Sequence, residues 1–208
     1  MSNYYTETKW SKYLRLTKYG SISEMVFETI KHHGDKSVMR WFSEEDPDQL
    51  EDITYEELGD IITTSFHAIH SLGYEKGDHV SICAETSQYW AWADLGLQSL
   101  GAVTIAIYPS LKPREVLYIV DDSESKAIFV DTKENLEKFY GIWEEVPNVK
   151  NVIVFEDVED SVKRENVLTW NEFMKRGEKH REKNPGLLEE SISAIHEEDL
   201  ASLIYTSG

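Results

Sequence analysis

A chain of 208 residues in which 40% of side chains are hydrophobic and 12% aromatic has enough apolar material for one good-sized core, or for one domain with a small accessory segment. Its 21 basic and 39 acidic residues leave a formal charge of -18, which repels phosphate backbones and anionic lipid at long range and excludes nucleic acid and membrane surfaces as expected partners. The first residues, Met1 to Glu7, have no basic region followed by an apolar stretch, and no later apolar run approaches the roughly 18 residues that span a bilayer, so the expectation is a cytoplasmic protein not integral to a membrane.

Residues 1–22 form an aromatic arm, with Tyr4, Tyr5, Trp10, Tyr13 and Tyr19 interleaved with Lys9, Lys12, Arg15 and Lys18 and no helical or strand period. Such an arm can dock on its own domain or on a second subunit, which leaves a homodimer open. Ser23 opens a short amphipathic helix through Ile30, and Gly34-Asp35 leads to an extended stretch, Ser37 to Phe42, and an acidic turn, Ser43 to Gln49. Thr54-Tyr55-Glu56-Glu57 is a capping box, because the Thr hydroxyl and the Glu carboxylate each satisfy a backbone amide. Behind it Leu58, Ile61, Ile62, Ile69 and Leu72 recur at helical spacing until Gly73 ends the helix. His67 and His70 stand three apart with Thr63 opposite this stripe. Without a Cys or third ligand nearby, they are predicted on a solvated helix face rather than at a metal.

From residue 78 apolar strands alternate with helices. Val80 to Ala84, Val103 to Ile107, Lys126 to Val130 and Asn151 to Phe155 read as strands. Gln88 to Leu100, Pro113 to Asp122 and Thr132 to about Glu145 read as helices. Thr169-Trp170-Asn171-Glu172 is a second capping box opening a helix to about Lys179, Arg181 to Glu190 reads as a charged loop, and the chain returns to the sheet at Leu200 to Tyr205. Continuous apolar runs alternating with helices predict an α/β fold: a doubly wound, mostly parallel sheet with helices on both faces. The division expected is an arm at 1–22, an accessory strand and helix layer at 23–75, and a parallel α/β subdomain at 76–208. The lone cysteine, Cys83, sits in an apolar strand and is predicted to be buried and inert, and the aromatics Tyr89, Trp90 and Trp92 are predicted to be core. Ligands of such sheets sit beyond the carboxyl ends of the strands, here near Glu85, Tyr108 to Ser110, Asp131, Glu156 and Thr206 to Gly208.

The last of these places carries the most information. Ala201 to Tyr205 is a hydrophobic strand running into Thr206-Ser207-Gly208, a turn whose backbone amides could begin to cradle a polyphosphate. Leu200 through Gly208 resembles the start of the AMP-binding signature of the adenylate-forming superfamily, which includes acyl-CoA synthetases, luciferases and peptide-synthetase adenylation domains. Gly77-Asp78-His79-Val80-Ser81-Ile82 and the long segment Ala93 to Leu111 are similar to further family elements. So are Ile53 to Leu58 and Asp121 to Lys126. The Tyr108-Pro109-Ser110-Leu111 turn is closer to the long-chain fatty acyl-CoA synthetases than to other branches.

The resemblance implies the amino-terminal part of a large domain of such a synthetase. The family activates a carboxylate, here a long- or medium-chain fatty acid, with ATP and magnesium to an acyl-adenylate, then transfers the acyl group to coenzyme A. By the match, Thr206, Ser207 and Gly208 begin the phosphate loop and the Thr206 hydroxyl is a candidate magnesium ligand; no catalytic residue is assigned. Because the remainder of the signature, the adenine motif and the family's catalytic lysine are not in this sequence, the chain alone is expected to be inactive and to bind no cofactor tightly. A non-catalytic assembly or weak ligand-binding module of the same fold is the alternative. A dehydrogenase-like or flavodoxin-like domain is disfavoured, because Ala84-Glu85-Thr86-Ser87-Gln88 stands where a glycine-rich turn would follow the first strand.

Overall fold

A computed structural model describes residues 19–43, 46 and 48–206, so the arm up to Lys18 and the last two turn residues, Ser207 and Gly208, lie outside the described residues. Six strands form one sheet: β3 (His79–Cys83), β4 (Val103–Ile107), β5 (Ala127–Val130), β6 (Asn151–Val154), β7 (Val167–Thr169) and β8 (Ser202–Ile204). Their order is β7-β6-β5-β3-β4-β8 and every neighbouring pair is parallel. The chain starts in the middle at β3, adds β4 on one side, then crosses to build β5, β6 and β7 on the other. This is the doubly wound topology that the alternation of apolar runs predicts.

Because both faces are covered, the strands bury side chains on both. Ala127 and Phe129 of β5 and Ile153 of β6 point into one core, and Ile128, Val130, Val152 and Val154 point into the other. The first core is covered by α1 (Ile22–His33), α2 (Tyr55–Ser71), α3 (Gln88–Leu100), α6 (Trp170–Lys183) and α7 (Leu187–Ser193). The second is covered by α4 (Pro113–Asp122), α5 (Lys133–Tyr140) and a 3-10 turn at Trp143–Glu145. Both capping boxes form: the backbone amides of Glu57 and Glu172 donate to the hydroxyls of Thr54 and Thr169, and each carboxylate accepts in return. The aromatic cluster is core, with Tyr89 stacked on Phe155 at 5.6 Å and Trp92 meeting Trp41 edge-on at 5.7 Å.

Three elements depart from the sequence expectation. The acidic stretch after β1 (Ser37–Phe42) does not only turn but leads into a second strand, β2 (Leu50–Thr54), paired antiparallel with β1. Glu51 and Asp52 conceal it from hydrophobic periodicity; its pairing is supported instead by the Trp41 indole donating to Glu51 at 3.0 Å. β7 is only three residues long, and the charged stretch expected as a loop holds the end of α6 and the short α7, which follows a left-handed Gly186.

The largest correction concerns α2. His67 is 2% exposed rather than solvated, because α2 lies between α3 and α6 and buries two flanks instead of one. Glycines permit the approach. A β-carbon at Gly96 of α3 would sit 2.4 Å from the Ser65 hydroxyl oxygen, and one at Gly177 of α6 would sit 2.2 Å from the Thr64 carbonyl oxygen. His67 Nδ1 lies 3.0 Å from His180 Nδ1, a contact in which one nitrogen must donate and the other accept. Burial, with the cationic repulsion of His180, Arg181 and His70, lowers His67 from its usual 6.5 to about 4.

Two outcomes follow from this packing. Gly177→Ala should lower unfolding stability by about 2 kcal/mol in urea titration, since the added methyl collides with backbone and not with a movable side chain. Because folding holds His67 neutral, the native state binds fewer protons than the unfolded chain. The contribution of His67 is therefore complete above its unfolded value near 6.5 and is lost as the pH falls toward about 4. Thermal scans across that window should show a decline that is smaller in His67→Gln.

Candidate functional site

The site expected at the end of the last strand is built by a polar network inside α3 and β4. The Thr104 amide donates to the Ala201 carbonyl at 3.0 Å, and the buried Gln98 amide donates to the same oxygen at 2.9 Å. Gln98 is itself positioned by Thr104 Oγ1 and Asp94 Oδ1, both at 3.3 Å, while the Thr104 hydroxyl donates to Asp94 Oδ1 at 2.7 Å. Burial raises the Asp94 carboxyl above the usual range, opposed by its bonds to Thr104 and Gln98. The start of β8 is thus tied to both the helix behind it and the strand beside it. Its far end is tied by Tyr205, whose hydroxyl donates to Asp122 Oδ2 at 2.8 Å and whose ring meets Tyr118 edge-on at 6.4 Å. Burial and the Asp122 carboxylate push that phenol up to about 12.

Thr206 therefore leaves the carboxyl end of a parallel strand with its side chain exposed. Its neighbours in the proposed turn, Ser207 and Gly208, lie outside the described residues. Among the described residues β8 pairs with β4 alone, and Ile204 on it is 75% exposed.

The other carboxyl-end residues divide into two groups. Asp131 accepts from the Glu85 amide at 2.8 Å, the Thr132 amide at 2.8 Å and the Asn135 side chain at 2.6 Å. Glu156 accepts from the Lys133 amide at 2.7 Å. Both acids stitch the loops after β3, β5 and β6 together at the start of α5, Asp131 through both oxygens and Glu156 through Oε2. Tyr108, by contrast, is 74% exposed at the end of β4, beside β8. Beneath it Pro109, Cys83, Val116 and Phe139 line a cavity of about 20 Å³, room for a single water and too small for a nucleotide or acyl chain. Cys83 is buried, and the low-dielectric surroundings and Asp131 push its thiol up to about 12, as an inert core cysteine requires. Among the described residues no group of three His, Cys, Asp or Glu side chains is placed to hold a metal ion, and no helix is long and apolar enough to cross a membrane.

Asp94 and Gln98 are the residues to which the sequence reading gave no role. Their signal is there: two polar side chains four apart on one face of a mostly apolar helix, a spacing that makes them neighbours.

Comparison with known proteins agrees with this geometry. The family model described as AMP-binding enzyme matches residues 26–208, and the chain belongs to that family. The long-chain-fatty-acid–CoA ligase ACSBG1 of Macaca fascicularis is 27% identical over 188 residues, covering 90% of this chain and 25% of the relative. The long-chain-fatty-acid–CoA ligase FadD15 of Mycobacterium bovis is 26% identical, covering 86% of this chain and 30% of the relative. Among solved structures, the anthranilate CoA ligase AuaEII in complex with anthranoyl-AMP superposes with a TM-score of 0.73 at 22% identity, over 97% of this chain and 34% of that one. Coronafacic acid ligase from Pectobacterium brasiliense does so with 0.68 at 16% identity, over 89% of this chain and 33% of that one. The chain spans about a quarter to a third of the proteins it matches, and the fold common to them is the parallel sheet with its helices.

Asp94 is protonated more readily folded than unfolded, so its contribution to stability grows as the pH falls through its raised folded value. Asp94→Asn keeps the acceptor oxygen and removes the buried charge; at neutral pH it should equal or exceed the parent in thermal midpoint. Gln98→Leu removes the amide that serves Ala201 and should lose about 1 to 3 kcal/mol.

Proposed function

We propose that the chain is the amino-terminal part of a cytoplasmic, ATP-dependent acyl-CoA synthetase acting on a long- or medium-chain fatty acid, and that Thr206, Ser207 and Gly208 open its phosphate loop. What carries the reading is the coincidence of two observations: membership of the AMP-binding family over residues 26–208, and a strand held at both ends so that Thr206 emerges at the carboxyl edge of a parallel sheet. The names of the relatives support the acyl-CoA ligase branch, and the Tyr108-Pro109-Ser110-Leu111 turn supports the long-chain choice within it.

An exposed threonine hydroxyl is a hard oxygen donor of the kind magnesium prefers, so the residue fits the metal that accompanies ATP. When bound, that ion would neutralise phosphate charge while the carboxylate attacks the α-phosphorus and pyrophosphate leaves. The contribution of this chain is positional: Gln98 and Tyr205 fix the strand, Thr206 offers its hydroxyl, and a residue without a side chain at Gly208 leaves the backbone free to approach a phosphate. Coenzyme A then accepts the acyl group in the whole enzyme. A polypeptide with the scaffold but a quarter to a third of the relatives' length is not expected to complete either half-reaction.

Fatty acid-dependent conversion of ATP to AMP, measured in parallel on this chain and on the longest reading frame that contains it, tests the proposal. Activity confined to the longer product is the expected result, with Thr206→Val reducing its kcat/KM for ATP about 100-fold and Thr206→Ser retaining most of it. Acyl-adenylate formation by the 208-residue chain would overturn the assignment of inactivity. Lack of activity in both would favour a binding or assembly module.

A further inference from the structure

Outside the sheet edge, a groove of about 400 Å³ lies between α1 and α7. Phe27, Leu188, Ile192 and Ile195 give it apolar walls, and the buried Leu188 joins it to the core beneath. Its rim is acidic, with Glu24 and Glu28 on α1 and Glu189 on α7. The one basic group on the rim, Lys31, is engaged by Glu28 at 2.5 Å, and among the described residues Glu189 takes part in no salt bridge. An apolar trough with such a rim repels a fatty acid carboxylate or a nucleotide and suits a segment that is both aromatic and basic.

This chain contains such a segment immediately before α1. Residues 4–18 carry Tyr4, Tyr5, Trp10, Tyr13, Leu14 and Leu16 together with Lys9, Lys12, Arg15 and Lys18, against Glu7 as the single acid. The segment's charge is thus +3, and the remaining residues carry -21 of the total of -18. Placement also favours it. The Gly20 amide donates to Glu24 Oε2 at 2.5 Å, which brings the chain leading into α1 against a residue of the groove itself. The groove runs from Glu24 to Lys31, about 10 Å along α1. Fifteen residues reach up to about 50 Å, so the segment can turn back along the helix it precedes. Covalent linkage then raises its effective concentration at the groove far above that of a second copy.

We propose that the aromatic, basic segment Tyr4–Lys18 docks within its own molecule in the acidic-rimmed groove between α1 and α7, with its rings on Phe27, Leu188 and Ile192 and its cations on Glu24, Glu28 and Glu189. The segment closes the outer side of the helical layer and neutralises part of a strongly acidic surface.

Paramagnetic broadening tests this on the 208-residue chain. Because Cys83 is buried and its thiol is held protonated, a nitroxide can be placed selectively on Ser193→Cys at the groove. The expected result is a several-fold loss of intensity for the ¹⁵N amide signals of residues 9–18 and the Trp10 indole, unchanged on dilution. The charge-reversed Glu24→Lys/Glu189→Lys protein, with its β-sheet signals in place, should restore that intensity. Full intensity in the labelled parent overturns the proposal. So does broadening that arises only when ¹⁵N chains are mixed with spin-labelled ¹⁴N chains, which would assign the groove to a second copy.

Discussion

The Gln98 amide, buried in α3, faces the Ala201 carbonyl just ahead of β8, and the position of everything beyond that carbonyl depends on the pairing. A strand of three residues with one neighbour has few ladder bonds of its own, and strands so short are marginal when unsupported. Here the carbonyl is held twice, by the Thr104 amide and by Gln98, and Gln98 is in turn held by Asp94 and Thr104. Removing Gln98 leaves the carbonyl with the Thr104 amide alone and takes away the tie between α3 and β8. The network therefore converts a weak edge strand into a fixed ledge. Thr206 stands at the end of that ledge, where the phosphate loop is proposed to begin.

Close packing also governs the other side of the layer. The helix α2 touches neighbours on two flanks, and glycines of α3 and α6 set the distance at which it does so. That closeness buries His67 against His180, so the contact between the two imidazoles follows from the packing. Charge is distributed in keeping with this: the carboxyl-edge acids Asp131 and Glu156 accept from helix and loop amides, and the excess acidity lies on exposed surface.

Much of this was legible in the sequence, for identifiable reasons. Strands buried on both faces are continuous apolar runs, so β3 to β6 could be read directly, the short apolar run of β8 was visible although it is an exposed edge, and the capping boxes at Thr54 and Thr169 marked two helix starts because their chemistry is local. What could not be read was decided by tertiary contact. β2 is an exposed acidic strand that exists through its pairing with β1, and β7 is too short for any period. One hydrophobic stripe on α2 suggested one buried flank, yet His67 is buried because a helix distant in sequence covers the second. The turn proposed to open the site was suggested by a motif, whereas the roles of Asp94 and Gln98 appeared only once α3 was seen to back the last strand.

Native-state hydrogen exchange of the β8 amides, compared between the parent chain and Gln98→Leu, tests the central claim most directly. If the buried network holds the ledge, the Leu203 amide of the parent, which faces β4, is protected well beyond an open edge, and Gln98→Leu removes that protection while the amides of β3 and β5 keep theirs. Free exchange of β8 in the parent, or protection indifferent to the loss of Gln98, would contradict it.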